Sequence, residues 1–198
     1  NGTSQFFTLG STNYLFNGAL PFTVNLSFKS SDPNKDNCLI ANFNGGVGAT
    51  FTFRLANEVL SAGRNVSPWI VSGTTVIPAG EIVYASYSFD GSYMRVYLNG
   101  NLYATSALIN SSVSYNGGTR IGACQDSSAN SRFFKGQIYN AQIYNRALSG
   151  TEIATNFDNV IPGRLVVKDN FTLGAWNTQS NGSGTSYGSL NTDLAALP

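Results

Sequence analysis

The sequence predicts an all-β fold: a two-sheet antiparallel β-sandwich, or jelly roll, with one short helix near residues 149–157. Three observations lead there. Apolar and polar residues alternate over short runs that turn residues interrupt, the period-2 pattern of half-buried strands. No segment keeps a 3.6-residue period long enough for a major helix. Asp90-Gly91 and Asn99-Gly100 are dipeptides that tolerate positive φ in tight hairpin turns.

The first clear strand is FTVNLSFK at 22–29, where Phe22, Val24, Leu26 and Phe28 alternate with Thr23, Asn25, Ser27 and Lys29. Further β-prone runs follow at 38–42, 50–55, 69–71, 82–89, 93–98, 102–105, 119–123 and 137–144. Around the two hairpin dipeptides, 82–105 reads as a three-stranded meander, with Met94, Val96 and Leu98 on one face and Tyr93, Arg95 and Tyr97 on the other. Ser149-Gly-Thr-Glu152 fits a capping box, in which the serine hydroxyl accepts from the Glu152 amide and the Glu152 carboxylate accepts from the Ser149 amide. A helix through about Phe157 should follow, with Ile153 and Phe157 on its buried side. Beyond Ile161-Pro162-Gly163 one more strand is expected at 165–173, and 177–191 is rich in Gly, Ser, Thr and Asn. The jelly-roll domain is therefore set at 1–174 and a Gly/Ser/Asn-rich linker or tail at 175–198, with Trp176 as a docking anchor for that tail.

Composition excludes several functions. A chain of 198 residues can bury roughly 70% of its unfolded surface around one core, without a metal or disulfide. Lys and Arg number 11 against 10 Asp and Glu, so no basic face is expected and nucleic acid is not an expected partner. No apolar run reaches the roughly 18 residues of a membrane span, so no membrane insertion is expected. The chain opens on Asn1, not methionine, as a processed or excised product would. Cys38 and Cys124 lie too far apart in sequence for a zinc knuckle or a Cys-x-x-Cys motif, which leaves one disulfide or two buried thiols. Polarity carried by Asn, Ser, Thr and Gly suits an extracellular β protein, at a cell or virion surface.

Four ordered segments carry a family likeness. Phe134-x-Gly136-x-Ile138 leads into Ile143-Tyr144-Asn145-Arg146-Ala147-Leu148-Ser149 and then Glu152-Ile153. Upstream stand Ser88-Phe89-Asp90-Gly91-Ser92 with Val96-Tyr97-Leu98-Asn99-Gly100, then Arg120-Ile121-Gly122, and the early strand of Phe22-Thr23-Val24 through Phe28-Lys29. Over roughly residues 5–157 this resembles the laminin-G-like domains of the concanavalin A-like lectin/glucanase superfamily. The resemblance implies two large curved antiparallel sheets, and a fold shared by glycan-binding modules, adhesive modules, decoration domains of viral particles and glycosidases. Ile82-Val83-Tyr84 stands where the family often has Trp-His-His, and Tyr139-Asn140 where it often has an acidic pair, so roles attached to those positions do not carry over.

Catalysis is not expected. With no histidine, Ser-His-Asp and Cys-His mechanisms are excluded, and Glu58, Glu81 and Glu152 are too scattered to set two carboxylates across a glycosidic bond. Asp32-Pro-Asn34-Lys-Asp36 places oxygen ligands at alternate positions, so calcium is the candidate cofactor, with Asp32, Asp36 and Asp126 as ligands. The plainer reading is a polar turn. Glycan binding needs an aromatic platform beside polar groups that fix hydroxyls. Trp69 is the first candidate platform, with Arg64, Gln125, Asn116 and Tyr115 as ligand-binding partners; Tyr93, Tyr97, Tyr103 and Tyr139 are further aromatics for which packing is the ordinary role. Two or more of the loops 32–37, 64–69, 115–118 and 125–130 are expected to meet at one rim. A non-catalytic, surface-exposed module for glycan recognition or adhesion results, its partner a glycan or a surface protein. The alternative is a structural or decoration domain contacting neighbouring subunits of a larger assembly such as a virion or fibre.

Overall fold

A computed structural model describes residues 5–9, 16–45, 48–66, 69–114, 118–126, 129–160, 176–177 and 186–187. The strand expected at 165–173 lies outside them. The chain divides into two compact units, Asn1–Arg164 and Leu165–Pro198.

The first unit is the expected sandwich. Its larger sheet has the spatial order β1 (Phe7–Leu9), β10 (Thr119–Ile121), β3 (Asn37–Gly45), β4 (Gly48–Ala56), β5 (Val59–Gly63) and β6 (Ile70–Ser72). Beside β3 lies β11 (Cys124–Asp126), which also pairs with β12 (Ala129–Ser131). The smaller sheet runs β13 (Gly136–Tyr144), β2 (Phe22–Ser30), β7 (Ile82–Phe89), β8 (Met94–Leu98) and β9 (Asn101–Thr105). The ladders of both sheets are antiparallel except the short one between β11 and β3.

Alternation fills the space between the sheets. Phe22, Leu26 and Phe28 from β2 and Tyr87 and Phe89 from β7 meet Phe51, Phe53 and Leu55 from β4, all fully buried. Phe22 makes edge contacts with Phe16 and Tyr87 at ring-centroid distances of 5.0 and 5.2 Å, arrangements that add to simple area burial. The meander turns as expected: Asn99 and Gly100 both adopt positive φ, and the Asp90 carboxylate accepts from the Ser92 and Tyr93 amides across the other hairpin.

Four differences have physical causes. Thr23, Asn25 and Ser27, expected on a solvated face, are buried. The chain leaving β13 crosses over Thr23, where the Leu148 amide donates to Thr23 Oγ1 at 2.8 Å and that hydroxyl donates to the Arg146 carbonyl at 2.9 Å, while Asn25 donates to Gln142 Oε1 of β13 at 3.4 Å. Strand β5 was not expected, because its hairpin turns on Asn57 and Glu58, two non-glycine residues with φ of 50° and 68°. Strand β10 stops at Ile121 because Gly122 takes a φ of 84°. The helix α1 (Gly150–Val160) runs a little past Phe157.

The capping box is formed, with Ser149 N donating to Glu152 Oε2 at 2.9 Å and Glu152 N to Ser149 Oγ at 3.2 Å. Ile153 is fully buried against Tyr84, Tyr97 and Leu148, on the outer face of the smaller sheet, and Phe157 packs beside it. In the second unit, β14 (Trp176–Asn177) pairs antiparallel with β15 (Ser186–Tyr187). The side chain of Trp176, expected as a tail anchor, lies outside the description.

Candidate functional site

Trp69 emerges where the chain passes from β5 to β6. The Arg64 amide donates to the Trp69 carbonyl at 3.1 Å, closing the loop between them. Gly63 makes this closure possible, since a Cβ there would stand 2.7 Å from the same carbonyl oxygen. The indole is 62% exposed and Ile70 beside it is 46% exposed, so neither belongs to the core. They border a hollow of about 220 Å³ whose lining includes Phe43, Thr52, Arg54 and Arg132. The alternation of β4 explains the choice: Phe51, Phe53 and Leu55 point inward, which turns Thr52 and Arg54 to the outer face.

Two guanidiniums converge behind the hollow. Arg54 Nη1 donates to Asp36 Oδ2 at 2.9 Å, and Arg132 Nε approaches the same oxygen at 3.3 Å. Arg132 also lies over the Phe43 ring, 5.5 Å from its centre. Asp36 thus ties the 32–37 loop to the strand that floors the Trp69 hollow.

Arg64 is a correction. The residue expected to bond sugar hydroxyls is 2% exposed, its Nη2 donating to the Phe16 and Gly18 carbonyls at 3.1 and 2.8 Å. Its guanidinium lies against the Phe22 and Phe89 rings, 5.5 and 4.2 Å from their centres, and burial lowers its pKa from the ordinary arginine value. Long reach and a loop position made it look available; two aromatic faces and two orphan carbonyls drew it inside. Gln125 sits on β11 opposite Asn44 and does not line the hollow. Tyr115 and Asn116 lie outside the described residues.

The candidate calcium ligands face cations. Asp32 Oδ2 accepts from Lys135 Nζ at 3.1 Å with Lys35 Nζ at 3.9 Å, and Asp36 holds Arg54 and Arg132. Asn37 closes the turn, donating to the Asp32 and Lys35 carbonyls and accepting from the Lys135 amide. These contacts fit the polar-turn reading, and among the described residues no three His, Cys, Asp or Glu side chains gather. The Asp126 side chain is not among those described.

Of the other aromatics, Tyr97 and Tyr103 have packing roles. Tyr97 is buried under the helix, and the Tyr103 hydroxyl donates to the Thr75 carbonyl at 2.7 Å. Tyr139 is exposed, at a bulge in β13, and lines a wider groove of about 670 Å³ with Phe6, Phe7 and Asn140. Among the described residues that groove lacks charged side chains; the Trp69 hollow joins an exposed indole to cationic donors. Sequence reading missed Arg54, Arg132 and Phe43. The strand alternation pointed Arg54 outward, but nothing local brings Arg132 to it.

A family model for the concanavalin A-like lectin/glucanases superfamily, of laminin-G type, matches residues 1–154. The chain belongs to that superfamily. No curated protein sequence matches it significantly. Among solved structures it is similar to the CBM40 of the Ruminococcus gnavus IT-sialidase bound to alpha2,3 sialyllactose, with a TM-score of 0.61 and 17% identity over 70% of this chain and 83% of that one. It is also similar to domain 4 of an extracellular arabinanase from Geobacillus stearothermophilus in complex with arabinotriose, with a TM-score of 0.53 and 20% identity over 70% and 66%. Mouse laminin alpha1 domains LG4-5 give a TM-score of 0.55 and 17% identity over 74% of this chain and 43% of that one.

Proposed function

We propose that this domain is a non-catalytic carbohydrate-binding module that holds a glycan in the hollow beside Trp69, on the outer face of the larger sheet. The observation that carries this reading is an exposed indole bordering a concavity lined by Arg54 and Arg132. A sugar ring stacks its C–H face on an aromatic while donors at the rim fix its hydroxyls. Superfamily membership supports it, as do two structural neighbours held with sialyllactose and arabinotriose. The module would act outside the cell or on a surface, as the extracellular arabinanase does.

The carboxylates support a non-catalytic reading. Asp32, Asp36, Asp90 and Glu152 each face a lysine or arginine. Hydrogen bonds from Arg146 to Glu152 and, against the opposing pull of burial, from Arg95 to Asp90 hold those two carboxyls below their ordinary range, so either would be a weak general acid. The chain holds no histidine to replace it. A glycan array probed with the wild-type domain and with Trp69→Ala tests the reading. Glycan signals that vanish in the variant support it; no binding to any glycan, or signals indifferent to Trp69, would sink it.

A further inference from the structure

Three arginines, Arg54, Arg64 and Arg132, line the Trp69 hollow, and no acidic residue does so among the described residues. The chain as a whole is nearly neutral, with 11 basic and 10 acidic residues, so this concentration is local. Arg54 donates to Asp36 Oδ2 and Arg132 Nε lies 3.3 Å from the same oxygen, which aims the two guanidiniums at one anionic group and leaves the three side chains with one net positive charge. Arg64 adds a different contribution. It lies inside the protein with two backbone carbonyls and two phenyl faces around it, and among the described residues no carboxylate pairs with it. Among the described residues its Nε and Nη1 have no hydrogen-bond partner. A buried cation without a counter-charge is weakly screened, and its field reaches neighbouring concave surface more strongly than a solvated lysine would.

Resting on the glycan-binding reading above, we propose that the hollow selects a carboxylate-bearing sugar, a sialic or uronic acid, over neutral sugars. The carboxylate takes N–H donors from the Arg54 and Arg132 side, where a planar guanidinium matches a planar carboxylate. The ring stacks against Trp69. Arg64 makes no contact with the sugar; its buried charge raises the potential of the site.

Matched pairs of ligands test this: sialyllactose against lactose, an oligogalacturonide against its methyl ester, and a sulfated lactose, each by titration calorimetry. The expected result is binding of the carboxylated members at least about tenfold tighter than their neutral partners, weakening as salt rises. Arg132→Gln should lose about tenfold for the carboxylated ligand alone; because Arg132 also pairs with Asp36 and covers Phe43, affinity is read well below the variant's own melting midpoint. Arg54→Lys, which keeps the charge but not the fork, is the second variant, needed because Arg54 is the less exposed of the two. Equal affinity for lactose or the methyl ester overturns the acidic-sugar proposal and leaves the glycan reading standing. Preference for the sulfated over the carboxylated ligand overturns it too. So does carboxylate selectivity that both arginine variants retain. Absence of binding to every ligand overturns the acidic-sugar proposal, and the glycan array then decides the glycan-binding reading by itself.

Discussion

The guanidinium carbon of Arg64 lies 4.2 Å from the centre of the Phe89 ring, inside the protein, where a cation needs compensation. The ring face and the Phe16 and Gly18 carbonyls supply it, and in return Arg64 fastens the 16–18 segment to β5. Arg64→Lys keeps the charge but cannot serve two carbonyls and two rings with one planar group. It should cost about 2 kcal/mol, a charge-assisted hydrogen bond without its geometry. Glycan affinity should hold below the lowered melting midpoint. Loss of affinity with an unchanged midpoint would place Arg64 in direct contact with ligand and reverse the correction made above.

Trp69 gives the opposite pattern. With 62% of its surface exposed, the indole contributes little to the core, so Trp69→Ala should leave the melting midpoint within error. Affinity should drop by about tenfold, the equivalent of one stacked aromatic. A midpoint several degrees lower with affinity intact would show that Trp69 packs and does not bind.

Much of this fold is legible in the sequence because its signals are local. The strand at Ile82–Phe89 matches expectation to the residue, since alternation and the Asp-Gly turn bound it together. The capping box needs only Ser149 and Glu152 three residues apart. Of the strands not foreseen, β1 and β11 lean on the distant partners β10 and β3, whereas β5 and β12 pair with their chain neighbours, and the β5 turn uses Asn57 and Glu58 in place of a glycine signal. The site was half legible. Trp69 stands out as a lone indole in a polar segment, whereas Arg132 joins Arg54 through Asp36, a convergence that depends on sheet topology. Arg64 misled for the same reason: its two carbonyl partners lie some fifty residues upstream.

The helix cap carries a pH dependence. The Arg146 guanidinium, then the Ser149 amide and hydroxyl, hold the Glu152 carboxyl at about 2, below its ordinary value of 4.5. A depressed folded pKa means the contribution is fully present above 4.5 and is lost as pH falls through about 2. An NMR titration should place the Glu152 midpoint near there, and Arg146→Ala should raise it toward the ordinary value. Ser149→Ala should cost about 1 kcal/mol of stability at neutral pH. An unshifted Glu152 midpoint would mean the box does not form in solution.

Cys38 and Cys124 are free, buried thiols in contact beneath Phe43. Burial, reinforced by the neighbouring Cys124, pushes the Cys38 thiol well above its usual range, so little thiolate forms at neutral pH. Ellman's reagent should therefore react with neither cysteine in the folded protein and with both after denaturation. Prompt labelling of the native protein contradicts this, as does an intact mass lighter by two hydrogens.

Gly136 explains why a Phe-x-Gly-x-Ile motif opens the last strand. It pairs with Ser30 across the β13–β2 ladder at a φ of 147°, and a Cβ there would lie 2.0 Å from the Lys29 carbonyl oxygen and 2.9 Å from Ser30 Cα. Both obstacles are backbone, so no side-chain rotation relieves them. The strand is also fixed on its near side, where the Phe134 amide donates to the Gly122 carbonyl at 2.9 Å and Phe134 packs edge-on against Phe28. Either β13 shifts away from β2, breaking ladder bonds and opening the Phe28–Phe134 contact, or the alanine is not accommodated. Gly136→Ala should therefore destabilise the domain by more than about 3 kcal/mol, the range of the severest single substitutions, or yield no folded protein. Gly118→Ala is the control: its Cβ would meet nothing nearer than the Thr8 methyl at 3.6 Å, and its melting midpoint should match wild type. Similar midpoints for Gly136→Ala and wild type in thermal denaturation would show that β13 does not approach β2 this closely at Lys29.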